Sequence, residues 1–125
     1  MTNWAKVNRA KARRSDPHGM NATEARYEAI LASSDLYLKH SFEAIRLQLA
    51  DRTTYTPDFY VLTKELAIEF HEVKGARGYK LDPSGRVKLK VAAAMYPEFR
   101  FLGCVERLKR DGRGFKVEEI KTRKG

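Results

Sequence analysis

Apolar residues recur with a helical period over residues 22–33, ATEARYEAILAS, where Tyr27, Ile30 and Leu31 share one face. Asn21 stands ahead of them as an N-cap, and Glu24 follows three positions on, the spacing of a capping box. After Asp35 the period changes. Residues 42–49 alternate, with Ile45, Leu47 and Leu49 on one side, and predict a strand. Asp51-Arg52-Thr53 is a polar turn, and residues 55–62 predict a second strand with Pro57 near its start. Lys64-Glu65 turns the chain into a third strand over 66–74, followed by a glycine-containing loop over 75–85.

A second helix is expected over 86–96, stopped by Pro97, with Val87, Val91, Ala94 and Met95 as its apolar stripe. Strands are expected over 99–105 and, after Asp111-Gly112-Arg113-Gly114, over 115–120. The order is α-β-β-β-α-β-(β). Short turns imply an antiparallel meander of the first three strands, and the intervening helix permits a right-handed parallel crossover to the fourth. The fold class is α/β, a central mixed sheet flanked by helices.

At 125 residues the chain can bury a core without disulfides. Its single cysteine, Cys104, is read as packed in a strand. No apolar run reaches the roughly 18 residues of a membrane span, and the amino terminus lacks the apolar stretch of a signal peptide. A cytoplasmic protein with no membrane partner is expected.

The net charge of +9 is unevenly spread. Residues 1–20 carry +4, residues 21–74 carry −3, and residues 75–125 carry +8. Basic flanks suit a polyanion such as nucleic acid, and an acidic centre suits a divalent cation. Residues 1–20 read as a basic arm, with Lys6, Arg9, Lys11, Arg13 and Arg14 among small residues, and residues 21–125 as a single domain.

Two stretches stand out as chemistry: Tyr55-Thr56-Pro57-Asp58-Phe59 and Phe70-His71-Glu72-Val73-Lys74-Gly75. Alternation puts Ile68, Phe70, Glu72 and Lys74 on one face of the third strand. In a hairpin, Asp58 at the start of one strand meets the end of the next, which brings Asp58, Glu72 and Lys74 together. Adjacent carboxylates repel unless one is protonated or a cation lies between them. Oxygen ligands favour Mg²⁺ or Mn²⁺ over zinc, with the Val73 carbonyl as a further ligand. The plainer reading is a surface hairpin with an ordinary Glu–Lys pair. His18 and His40 lack a paired metal-ligand spacing, His71 faces away from Glu72 by strand parity, and Glu69, also opposite in parity to Glu72, is expected at the surface.

Pro57-Asp58 followed by Glu72-Val73-Lys74 resembles the signature of the PD-(D/E)XK nuclease superfamily, and the element order resembles its restriction-endonuclease-like αβββαβ core. Asn21–Tyr27, Tyr55–Phe59, Glu72–Gly75 and the stretch from Lys88 to Ala93 together are similar to a family of small phage-encoded endonucleases, related to Holliday-junction resolvases. The resemblance covers roughly residues 21–105. It implies that Asp58, Glu72 and Glu24 bind metal and that Lys74 assists catalysis. The implied activity is Mg²⁺-dependent hydrolysis of DNA phosphodiesters, in the host cytoplasm for a phage-encoded enzyme. The alternative is a nuclease-like fold that binds nucleic acid without cutting it. Arg77, Lys80, Arg86 and Lys90, after the third strand, are expected to track phosphates along with Arg9, Lys11, Arg13 and Arg14 of the arm. Cutting both strands of a symmetric junction needs two sites, so a homodimer is also an expectation.

Deleting residues 1–20 is expected to weaken DNA binding across all sequences and to flatten its salt dependence by about 0.9 slope units per lost phosphate contact on duplex DNA. Titrations at several salt concentrations measure both quantities, and an unchanged slope would mean the arm does not touch DNA.

Overall fold

The structure is a computed structural model and describes residues 19–50, 52–77 and 83–121. Lys6, Arg9, Lys11, Arg13, Arg14 and Lys80 lie outside the described residues. The elements are α1 (Ala22–Ser33), β1 (Tyr37–Phe42), β2 (Leu47–Ala50), β3 (Thr53–Tyr55), β4 (Phe59–Thr63), β5 (Ile68–Lys74), α2 (Pro83–Met95), β6 (Arg100–Glu106) and β7 (Phe115–Glu119), with a 3₁₀ turn at Lys109–Asp111.

Five strands form one mixed sheet in the order β1-β4-β5-β6-β7, and β2 and β3 form a separate hairpin. Strand β5 is central. It pairs antiparallel with β4, where Phe59 faces His71, and parallel with β6, where Lys74 faces Val105. The parallel pair is reached through α2, as the crossover expectation requires.

The sheet is covered on both faces, so β5 is buried through Glu69–Val73. Helix α1 packs on one face through Tyr27 and Leu31, against Phe59, Val61, Val73, Leu102 and Cys104. On the other face α2 and the β2–β3 hairpin enclose Leu47, Leu49, Tyr55, Phe70, Leu89, Ala92, Ala93 and Phe101. Cys104 is fully buried, as expected of a packed cysteine. No helix among the described residues is long and apolar enough to cross a membrane.

The start of α1 is held as the pattern predicts. The Asn21 side chain accepts from the Glu24 N–H at 2.8 Å, and the Glu24 carboxylate accepts from the Asn21 N–H at 2.9 Å. Ile30 departs from the predicted buried face and is exposed.

Three further expectations are corrected. The alternating run over 42–49 is not one strand. Glu43 takes a left-handed φ of 48° and turns the chain, so β1 ends at Phe42 and the run continues as β2 in the hairpin. The expected antiparallel meander is present as β1-β4-β5, but the β2–β3 hairpin is inserted between its first two strands. Residues 55–62 also split, since Pro57 between β3 and β4 has no N–H for a ladder.

Finally, α2 presents Leu89, Ala92 and Ala93 to the sheet, while Val87, Val91 and Met95 are exposed. Two alanines on the inner face allow the helix to approach closely, a packing preference that hydrophobicity alone does not rank. Leu89→Ala is expected to cost about 2–5 kcal/mol of unfolding free energy, and Val87→Ala to stay within about 0.5 kcal/mol. Urea denaturation of the two variants checks the helix's orientation.

Candidate active site

Strand β4 stops pairing at Phe59, and continuing its register places Asp58 opposite Glu72 and Pro57 opposite Val73. Pro57 is fully buried and cannot donate to the next rung. The Val73 N–H is taken instead by the Asp58 carboxylate, Oδ2 accepting at 2.7 Å. The Val73 carbonyl leaves the strand on the same side as its N–H. The proline thus opens the ladder where a carboxylate and a backbone carbonyl converge.

Glu72 lies on the other side of this opening, nearly buried. Its Oε1 accepts from the Tyr55 hydroxyl at 2.6 Å, and its Oε2 lies 3.4 Å from Lys74 Nζ. Tyr55 comes from the hairpin, which therefore fixes the carboxylate's rotamer. Sequence reading assigns Tyr55 no role. The available signal is a buried tyrosine three residues before Asp58, whose hydroxyl must find a partner. Glu24 enters from the first turn of α1, buried at 5% exposure, and its charge acts on Asp58. The four residues singled out from the sequence therefore meet electrostatically at one end of the sheet.

Burial pushes the Asp58 carboxyl well above its ordinary range, and the Glu72 and Glu24 charges push it further. The Val73 N–H and Lys74 act in the opposite direction. Burial also raises Glu72, while the Tyr55 hydroxyl and Lys74 hold it down. Such a pair resists carrying two uncompensated negative charges.

The residues suit a divalent cation in two respects. Asp58 Oδ1 and Glu24 Oε2 are buried oxygens with no hydrogen-bond donor among the described residues. No three acidic, histidine or cysteine side chains among the described residues are gathered closely enough to enclose an ion alone. Mg²⁺ characteristically uses one or two carboxylates and keeps several waters, so Asp58, Glu72, the Val73 carbonyl and water form a suitable donor set, with Glu24 beside it.

The phosphate-tracking candidates are more dispersed. Arg77 and Lys90 are exposed, and Arg86 pairs with Glu118 at 3.2 Å. The expectation that Glu69 is a surface residue is overturned. Glu69 is 4% exposed and bonds His71 Nε2 at 2.8 Å and Arg100 at 2.6 Å. His71 in turn meets the Tyr27 hydroxyl at 2.6 Å through Nδ1. His40 bonds Glu28 at 2.7 Å. Comparison of the chain with family models, with curated proteins and with solved structures gives no match.

A carboxyl whose native pKa is raised binds its proton more tightly folded than unfolded. Its stabilising contribution is complete below the unfolded value and is lost as pH rises through the native value. Asp58 and Glu72 should therefore destabilise the metal-free protein as pH climbs from the ordinary carboxylate range towards neutrality. Asp58→Asn should be more stable than wild type at neutral pH without metal, and the difference should vanish in acid. Mg²⁺ should raise the melting midpoint of the wild type and not of the variant. Melting curves across pH, with EDTA or Mg²⁺, measure both differences.

Proposed function

We propose that the protein is a divalent-metal-dependent DNA endonuclease that hydrolyses phosphodiester bonds. The reading rests on one observation: Asp58, buried and bonded to the Val73 N–H, meets the charges of Glu72, Glu24 and Lys74 at an opened rung of the sheet. Their arrangement suits a reaction in which negative charge develops on phosphate oxygens.

When bound, Mg²⁺ or Mn²⁺ would polarise the scissile phosphate and lower the pKa of a coordinated water. Asp58 and Glu72 would hold the ion, with the Val73 carbonyl and Glu24 completing the acidic side. Tyr55 keeps one Glu72 oxygen fixed, so that the other faces Lys74. The Lys74 ammonium would orient the attacking water and offset charge on the phosphate. Exposed Arg77 and Lys90 supply positive charge beyond the β5 strand for the flanking phosphates. The finer reading is action on branched DNA in the cytoplasm, with two copies of the chain serving a symmetric junction.

Plasmid cleavage in Mg²⁺, Mn²⁺ or EDTA tests the activity, and linear, nicked, flapped and four-way-junction DNA at matched salt test the substrate. Asp58→Asn or Glu72→Gln should abolish most cleavage while leaving the fold intact. Lys74→Met should bind DNA in Ca²⁺ within a few-fold of wild type, whereas its cleavage in Mg²⁺ should fall by about two orders of magnitude. Equal losses of binding and cleavage would make Lys74 a DNA anchor. Tight binding by the wild type with no cleavage under any condition would favour a binding module.

A further inference from the structure

The β6–β7 connection carries a second concentration of charge that the proposed chemistry does not use. Residues 107–114 leave β6 at the end where Lys74 leaves β5, because the two strands run parallel with Lys74 facing Val105. With strands about 4.8 Å apart and a rise of about 3.3 Å per residue, the Arg107 backbone lies on the order of 8 Å from that of Lys74.

Between this connection and α1 runs a groove of about 450 Å³. Its apolar surface is Ile30, 44% exposed, and Phe115, whose ring meets Tyr27 edge-on at 5.0 Å. Arg107, Lys109 and Arg113 line the rest. The groove's one carboxylate, Glu106, is neutralised by the Arg26 guanidinium in two bonds of 2.6 and 2.7 Å. The three remaining cations make no ion pair with any described residue, whereas Arg26, Arg86 and Arg100 all do. Arg113 is held at a left-handed φ of 59° between Gly112 and Gly114, an unfavourable conformation for a side chain that lines the groove.

We propose that this groove binds one unpaired nucleotide of a DNA strand, its base against Ile30 and Phe115 and its phosphates on Arg107, Lys109 and Arg113. A duplex backbone would use the charge and leave the apolar surface idle. An unpaired base uses both, since stacking on a side-chain face needs no sequence match. The acidic cluster and the groove lie on either side of the first turns of α1, with Glu24 turned to one and Arg26 to the other. The groove would therefore confer a preference for DNA with an unpaired end or branch near the cut. This inference rests on DNA being the ligand and not on cleavage.

The test is fluorescence anisotropy in Ca²⁺ with a blunt duplex, the same duplex bearing a short unpaired tail at either end, and the same tails without bases. Wild type should bind one tailed duplex about tenfold more tightly than the blunt one, and the abasic tail should lose most of that gain. Ile30→Ser and Arg113→Gly, both at exposed positions, should reduce the preference to about twofold with blunt-duplex affinity little changed. Lys109→Gln should lower the salt slope on tailed DNA by about 0.7 per lost contact. No tail preference in wild type, or equal losses on blunt and tailed DNA, would overturn the groove assignment alone. Failure of wild type to bind any DNA would overturn the nucleic-acid reading itself.

Discussion

The missing N–H of Pro57 is the constraint on which the site depends. A β ladder running on past Phe59 would pair residue 57 with Val73 and close that end of the sheet. Proline cannot complete the rung, so the chain bends away, and the next side chain, Asp58, accepts from the Val73 N–H. A buried N–H left unmade would cost about 1–3 kcal/mol, so this bond secures the carboxylate to β5. The same break leaves the Val73 carbonyl facing a gap. Asp58 also accepts at its own carbonyl from the Glu43 N–H at 2.8 Å, which ties the end of β1 to the same point.

The two faces of β5 divide the work. Glu72 and Lys74 point towards the hairpin side, where Tyr55 fixes Glu72 and Glu72 pairs with Lys74. The residues between them in parity, Glu69, His71 and Val73, point towards α1. There the chain Arg100–Glu69–His71–Tyr27 runs from the start of β6 to the helix, and Cys104 Sγ reaches the Tyr27 hydroxyl at 3.2 Å. Burial pushes Tyr27 up and Cys104 up to about 12, so both stay protonated and serve as donors. Such a chain permits few alternative placements of α1, because each member must find its partner away from water. Tyr27 lies nearly one turn after Glu24, so the pin that seats the helix also sets where Glu24 meets Asp58. A polar network on the α1 face of the sheet thereby controls the acidic geometry.

Helix α1 is legible because its cap, its periodicity and its packing agree, from the Asn21–Glu24 box to Tyr27 and Leu31. Strand β5 is legible because strict alternation sorts Phe70 and Glu72 from His71 and Val73, and the register then follows from the short turn at Lys64-Glu65. Strand β1 is not. It is an edge strand with Lys39, His40 and Ser41 in succession and a register shift between Tyr37 and Lys39, so its period of two is erased. The α2 stripe misleads because Val87, Val91 and Met95 outweigh two alanines in hydrophobicity, while close packing selects small residues. Glu69 misleads because strand parity identifies a face without saying whether that face is covered. Here α1 covers it, and Arg100 and His71 make the burial tolerable.

Charge must be read with its partners before it describes a binding surface. The net +9 includes Arg26, Arg86 and Arg100, which serve Glu106, Glu118, Glu69 and Glu119 within the fold. Among the described residues, Arg77, Arg107, Lys109, Arg110 and Arg113 are left without an ion pair after β5 and β6, at the end of the sheet where the carboxylates are. A gradient runs through that end. The Glu72 side chain is 8% exposed and that of Lys74 19%, although only one residue separates them. Under the proposed reading, carboxylates that hold an ion would gain from the low dielectric of the interior, where each charge acts strongly. A lysine that meets a polymer too large to enter would need the boundary. Glu72 and Lys74, at the end of one central strand, would satisfy both demands without a deep cavity.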